Sequence, residues 1–195
     1  YKIMQTKEQW PKSYLNSWSA FSDDEKSVKY AFELFKFYTQ DRPVVSSLKV
    51  ADIMCGSGKF GKAFMGKMAE LQLDTSITYI DQSTEILSSI SLEKNEKTIQ
   101  ADVISMSHIP SESFDVIVCR YGYNNLPKEA WETALNETLR ILKPGGVFLL
   151  QDHFIPGPVF SELVNEAEQY LAKMEHKANK PFIYSTESFN SVLDT

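Results

Sequence analysis

Asp52 lies inside an apolar run just ahead of Gly56, Gly58 and Gly61; Asp81 closes a second run and Asp102 a third. Glycines between a strand and a helix remove the Cβ atoms that keep a ligand away from the backbone N–H groups of a helix N-terminus. Their Gly-x-Gly-x-x-Gly spacing suits a nucleotide-type ligand, but alone it is a weak signature. The carboxylates narrow the chemistry. Asp52 beside the glycine turn would repel a pyrophosphate and suits a cationic ammonium or sulfonium. Asp81 can accept both hydroxyls of a ribose, charged hydrogen bonds of roughly 1.5–3 kcal/mol each, although dinucleotide sites also place an acid on the ribose. Asp102 can take the exocyclic amine of an adenine while Val103 packs by the ring. Two further residue types stand where a reacting group would lie. His153 follows the fifth apolar run, beside Asp152, as a candidate general base, and Tyr121 follows the fourth. Each also has a plainer reading as a packed strand-end residue.

The elements that must position these residues can be read in chain order. Ser22-Asp-Asp-Glu25 is a capping box that opens a helix with Val28, Ala31, Phe32, Phe35 and Tyr38 on one side, ending near Asp41-Arg42-Pro43. Leu48–Met54 reads as the first strand and Lys59–Leu73 as a helix, with Phe60, Phe64 and Met68 inward. Ser76–Ile80 is the second strand, and Ser83 caps a helix expected to reach about Glu93. Thr98–Ala101 and Phe114–Cys119 are the third and fourth strands. Pro127 starts a helix to Leu142 that Lys143-Pro-Gly-Gly146 should stop. Val147–Gln151 is the fifth strand, and Pro158–His176 and Thr186–Leu193 are further helices. Strands that are continuously apolar and alternate with helices predict an α/β, doubly wound, parallel sheet covered on both faces. Ligands of such sheets bind outside the carboxyl ends of the strands, where Asp52, Asp81, Asp102, Arg120-Tyr121 and Asp152-His153 gather.

With 195 residues, 43% apolar and 24% charged, the chain is long enough for one domain with a full core. A formal net charge of −6 without a Lys/Arg run makes nucleic acid an unfavoured partner. No apolar run approaches a membrane span. Two cysteines, Cys55 and Cys119, are no disulfide framework. A reducing, cytoplasmic setting is the expectation. The cysteines end neighbouring strands, as two small buried residues or, in a second reading, as a redox pair. No metal site is expected.

Five blocks together carry a resemblance: Val50-Ala-Asp-Ile-Met-Cys-Gly-Ser-Gly58, Tyr79-Ile-Asp81, Gln100-Ala-Asp102, Phe114-Asp-Val-Ile-Val-Cys119 and Glu137-Thr-Leu-Arg-Ile-Leu-Lys-Pro-Gly-Gly146. Over about Leu48–His153 the chain resembles the class I S-adenosylmethionine-dependent methyltransferases. It looks most like the small-molecule group that includes the ubiquinone/menaquinone C-methyltransferases. The resemblance implies a Rossmann-like sheet of strand order 3-2-1-4-5, with residues 1–45 as a helical lid or arm and 46–195 as the cofactor domain. It implies S-adenosyl-L-methionine held by Asp52, Cys55, Gly56, Ser57, Gly58, Asp81, Gln82, Asp102, Val103, Arg120 and Tyr121, and a small-molecule acceptor. The C-terminal hairpin usual in this group is not in the sequence, which ends at Thr195. The fifth strand's edge is therefore expected to be covered either by a second copy of the chain or by segments outside this sequence. A binding or regulatory protein on the same fold, and a nicotinamide-dependent oxidoreductase, remain as other readings.

Overall fold

The computed structural model describes residues 24–40 and 45–152. Its elements run α1 (Asp24–Thr39), β1 (Ser47–Ile53), α2 (Lys59–Met68), β2 (Asp74–Asp81), α3 (Thr84–Ser88), β3 (Glu96–Gln100), β4 (Phe114–Arg120), α4 (Lys128–Ile141) and β5 (Leu142–Gln151). Single 3₁₀ turns at Ala69–Leu71 and Tyr123–Asn125 complete them. The strands form one sheet of order β3-β2-β1-β4-β5, and every neighbouring pair is parallel. This is the expected doubly wound, Rossmann-like α/β fold.

Alternation along the strands divides the core in two. Ala51, Ile53, Ile117, Cys119, Phe148 and Leu150 face one layer with Trp131, Leu135 and Leu139 of α4. Val50, Val116, Val118, Val147 and Leu149 face the other, with Val28, Phe32 and Phe35 of α1 and Phe60, Phe64 and Met68 of α2. Burial of each such side chain contributes about 1.5–3 kcal/mol, and both faces are covered, as the unbroken apolar runs require.

Three boundaries differ from expectation by several residues. The helix expected over Lys59–Leu73 ends at Met68 and passes into the 3₁₀ turn Ala69–Leu71. The helix after Ser83 ends at Ser88 rather than near Glu93. Ser83 caps it as expected, its Oγ accepting from the Ile86 N–H at 3.3 Å. Then Ser88 and Ser89 turn their hydroxyls onto the carbonyls of Glu85 and Ile86, the local competition that makes serine a poor helix interior. Lys143-Pro-Gly-Gly146 is not a loop between helix and strand: β5 begins at Leu142, directly at the end of α4. Its pairing with β4 shifts from Phe114↔Leu142 to Val116↔Val147, so four residues sit in a bulge. Gly145 takes the positive φ of 79° this needs, and Lys143 pairs across it with Asp115 at 2.8 Å. The helix's last carbonyls meet the N–H groups of Glu112 and Ser113, each at 2.8 Å. The expected helices over 158–176 and 186–193, and residues 1–23 of the expected N-terminal arm, lie outside the described residues.

Candidate functional site

The carboxyl ends of the five strands converge on one edge, and the glycine turn sits at its middle because β1 is central. Gly58, at φ 71°, is the N-cap of α2. Gly56 adopts φ 51°, and a Cβ built there would meet nothing within 4 Å. Its backbone thus faces open space, as a loop that receives a ligand must. Gly61 serves another purpose. A Cβ there would stand 2.5 Å from Asp52 Oδ2, 2.8 Å from Tyr79 Cε1 and 2.9 Å from Ile77 Cδ1. The third glycine makes room for Asp52, whose Oδ2 accepts from the Gly61 N–H at 3.1 Å.

Asp52 is 1% exposed. Burial pushes its carboxyl up to about 8, and the nearby charge of Asp81 adds to the rise; the Gly61 N–H and the Arg120 guanidinium oppose it. Asp81 ends β2 on the next strand. Its Oδ2 accepts from the Gly56 N–H at 3.0 Å and its Oδ1 from the Ser83 N–H at 3.0 Å. Burial raises its pKa too, against those N–H groups. The Gln82 N–H adds a third backbone donor; with three donors on about four acceptor sites, the carboxylate is fixed in place and keeps an acceptor site for a ligand.

Asp102 lies one strand further on, where the Ala101 N–H reaches the Asp81 carbonyl at 3.0 Å. Its Oδ1 accepts from the Ile104 N–H at 3.3 Å and so closes its own turn. Val103 is 5% exposed and belongs to the core, whereas its neighbour Ile104 is 38% exposed. The aliphatic side chain presented to solvent on this loop is therefore Ile104. Cys55 is half-buried, Ser57 and Gln82 are exposed, and the Gln82 carbonyl accepts from Gln100 at 3.1 Å. Cys55 and the fully buried Cys119 are both free, and burial pushes both thiols up, away from the reactive thiolate.

On the other side of β1, the Arg120 guanidinium stands 5.4 Å from the centre of the Phe60 ring and 4.6 Å from that of Tyr121. Tyr121 is strained into φ 55° and clamped there: its N–H donates to the Gln151 carbonyl at 2.8 Å, and its carbonyl accepts from Asn125 Nδ2 at 2.7 Å. The loop that follows is anchored to α4 by Trp131 Nε1 on the Tyr123 carbonyl at 3.0 Å and by the Tyr123–Thr138 hydroxyl pair at 3.0 Å. Asp152 is fully buried and accepts from the Asn124 N–H at 3.0 Å. His153 lies outside the described residues.

The structure thus brings Asp52, Gly56, Gly58, Asp81 and Asp102 to one stretch of edge, with Arg120 and Tyr121 beside them. Three residues were not singled out from sequence. Met54 takes φ 54°, a left-handed conformation unusual for a bulky residue. Its Sδ would stand 2.8 Å from a Cβ built on Gly122. Phe60 reads in sequence only as an inward helical residue, and it also carries Arg120. Gln151 reads in sequence only as the end of a strand; its signal is its place two residues after Leu149 and four after Val147, where a buried face expects an apolar side chain.

Residues 51–150 match the profile of the family described as methyltransferase domain. An uncharacterized methyltransferase of Bacillus subtilis, YcgJ, is 32% identical over 120 residues, 60% of this chain and 46% of that one. The ubiquinone/menaquinone biosynthesis C-methyltransferase UbiE of Cronobacter sakazakii is 29% identical over 142 residues, 70% and 55% of the two chains. The chain spans about half the length of these curated relatives. In fold it is similar to a candidate S-adenosyl-L-methionine-dependent methyltransferase of Methanococcus maripaludis, with a TM-score of 0.55 at 21% identity over 99% of this chain and 87% of that one. No helix among the described residues is long and apolar enough to cross a membrane.

Proposed function

Because the chain belongs to the methyltransferase-domain family through residues 51–150, we propose that it transfers a methyl group from S-adenosyl-L-methionine to a small-molecule acceptor by direct displacement. The observation that carries this reading is the pinned carboxylate of Asp81, bridging the Gly56 and Ser83 N–H groups one strand from the buried Asp52. Open space in front of Gly56 leaves room for a ligand against that cradle. Two acids at a glycine turn suit a ligand with cationic centres and a ribose, and they do not suit a pyrophosphate.

Asp52 and the turn Cys55–Gly58 take the methionine end. Asp81, flanked by Gln82, accepts from the ribose. The loop of Asp102 and Val103 takes the adenine, with Ile104 as its exposed apolar contact. Arg120 provides a cation for the ligand's own carboxylate, and Tyr121 lies beside the reacting group. Bound S-adenosylmethionine supplies an electrophilic methyl on a good leaving group. The protein's share is alignment, which is worth roughly 7–11 kcal/mol of barrier when reacting atoms are held in line. If the nucleophile carries a proton, His153 is placed by sequence to remove it, a contribution of roughly 10²–10⁴-fold. His153→Ala is then expected to lower kcat and leave cofactor affinity unchanged.

Isothermal titration with S-adenosylmethionine, S-adenosylhomocysteine and NADH tests the reading. Adenosylhomocysteine is expected to bind, and Asp81→Ala to weaken it at least about tenfold, since it removes charged hydrogen bonds of roughly 1.5–3 kcal/mol each. Binding of NADH without adenosylhomocysteine would overturn the proposal.

A further inference from the structure

Tyr79 of β2 lies directly opposite Asp52 of β1. Alternation puts Asp52 on the face of Val50, the face that Tyr79 shares with α2. Tyr79 is fully buried there, and its ring lies under the second half of the glycine turn. Its Cδ1 and Cε1 are each 3.2 Å from a Cβ built on Gly58, and Cε1 is 2.8 Å from one built on Gly61. Gly61 is the residue whose N–H pins Asp52 Oδ2 at 3.1 Å. The ring is therefore the floor under both Gly58 and the bond that seats Asp52.

The hydroxyl end of this ring is tied down. Tyr79 Oη donates to Glu96 Oε1 of β3 at 3.0 Å. Burial and that carboxylate both push the phenol pKa up, so the hydroxyl keeps its proton and remains a donor. Glu96 Oε2 accepts from the Glu93 N–H at 3.1 Å and pairs with Lys62 Nζ at 3.5 Å. Lys62 belongs to the first turn of α2, and its Nζ also donates to the Ser91 carbonyl. A strut thus runs from β3 through Tyr79 to the glycine turn and returns by Lys62 to the helix that the turn opens. The first half of the turn has different anchors: the Cys55 N–H on the Ile80 carbonyl at 3.1 Å and the Gly56 N–H on Asp81 at 3.0 Å. Filling the space alone would need only an aliphatic side chain, as Ile77 supplies two residues earlier on the same face. Tyrosine adds a polar tip that fixes where the ring lies.

We infer that Tyr79, held by Glu96, is a positioning residue of the cofactor site: it sets the height of Gly58 and Gly61 over Asp52, and so shapes the methionine end of the site while Asp81 holds the ribose end. The inference rests on the proposed cofactor reading. Fully buried, Tyr79 does not reach the ligand and acts through the residues above it. Without the bond to Glu96 the tilt of the ring is no longer fixed. Tyr79 Cε1 and Asp52 Oδ2 crowd the same glycine, so a tilted ring moves Gly61 against the carboxylate it seats. The effect falls on ligand groups that meet Gly58 and Asp52. It spares those that meet Asp81, whose own anchors do not pass through Tyr79.

Adenosine and S-adenosylhomocysteine share the nucleoside and differ in the amino-acid tail, so they report the two ends separately. By isothermal titration, Tyr79→Phe is expected to weaken adenosylhomocysteine about three- to tenfold, the value of one net hydrogen bond, and to leave adenosine unchanged. Glu96→Ala should give the same loss, and combining it with Tyr79→Phe should weaken the ligand no further, as for two partners of one bond. Glu96→Gln keeps a carbonyl oxygen for the hydroxyl and should retain most of the affinity. In the ligand-free protein, NMR should show the Gly58 and Gly61 amide signals shifted in Tyr79→Phe and that of Gly56 in place. Equal loss for both ligands, full adenosylhomocysteine affinity in Tyr79→Phe, additive losses, Glu96→Gln as weak as Glu96→Ala, or unmoved Gly58 and Gly61 signals would overturn the inference and leave methyl transfer intact. Failure of the wild type to bind adenosylhomocysteine would sink the cofactor reading instead, and the glycine signals would still decide whether Tyr79 holds the turn.

Discussion

Two glycines of one helix illustrate how differently the same residue type is used. Gly61 and Gly66 both lie in α2. A Cβ at Gly61 would press on the Asp52 carboxylate at 2.5 Å and on two core side chains; one at Gly66 would meet nothing within 4 Å. Gly66→Ala is therefore expected to stabilise the protein by about 0.5–1 kcal/mol, the helix-interior cost of glycine. Gly61→Ala should destabilise it by about 1–3 kcal/mol, the usual cost of overpacking. It should also weaken cofactor binding in the folded fraction, because Asp52 must move. Urea unfolding of the two variants gives the opposite signs directly, and a stabilised Gly61→Ala would refute the role assigned to this glycine. The glycine pattern visible in sequence thus serves in part an open turn, at Gly56, and in part the seating of a buried carboxylate.

At the scale of elements, the loop after β3 depends on α4. Arg140 Nη1 donates to the Ile109 carbonyl and Nη2 to the Met106 carbonyl, each at 2.8 Å. Glu137 holds the same guanidinium at 2.7 Å and accepts from the Met106 N–H at 2.8 Å. One ion pair on a helix therefore fastens the loop that begins at Asp102. Arg140→Met leaves these carbonyls without their donors and is expected to cost about 1–3 kcal/mol, with increased amide exchange at Met106. The Arg140 contact holds the Glu137 carboxyl below its ordinary value, so its contribution is present above about pH 4.5 and is lost as acid protonates it. The pH dependence of unfolding should lose that acid limb in Glu137→Gln. In sequence, Glu137 and Arg140 belonged to a recognisable block, but what they hold was not visible, because both loop partners are main-chain groups some thirty residues away. Strands were legible for the opposite reason: a strand buried on both faces writes itself as a continuous apolar run. The β5 entry was misread because Lys143-Pro-Gly-Gly146 has the composition of a stop, and only pairing with β4 turns it into a bulge. The half-satisfied Gln151 amide is unreadable in sequence because its partner, Ser27, comes from α1, 124 positions away.

For the molecule as a whole, an all-parallel sheet sends every carboxyl end to one edge, and four of those ends carry an aspartate: Asp52, Asp81, Asp102 and Asp152. This edge of a chain with net charge −6 holds Asp52 in a state that matters for binding. Its folded pKa is about 8, above the ordinary 3.8. Between those values the folded protein keeps a proton that the unfolded chain has released. The site's contribution to stability is therefore full below about pH 3.8 and declines as pH rises to about 8. A cation bound beside Asp52 favours the ionised form and must expel that proton. Cofactor affinity should accordingly rise with pH up to about 8, by as much as about tenfold per unit if ionisation is obligatory. Calorimetry at pH 7 in buffers of different ionisation enthalpy should register close to one proton released per site, and Asp52→Asn should abolish it. Adenosylhomocysteine keeps the ammonium and lacks the sulfonium. Equal proton release with both ligands places the ammonium beside Asp52, and release with S-adenosylmethionine alone places the sulfonium there. A binding enthalpy independent of buffer for both would show that Asp52 does not face the cation.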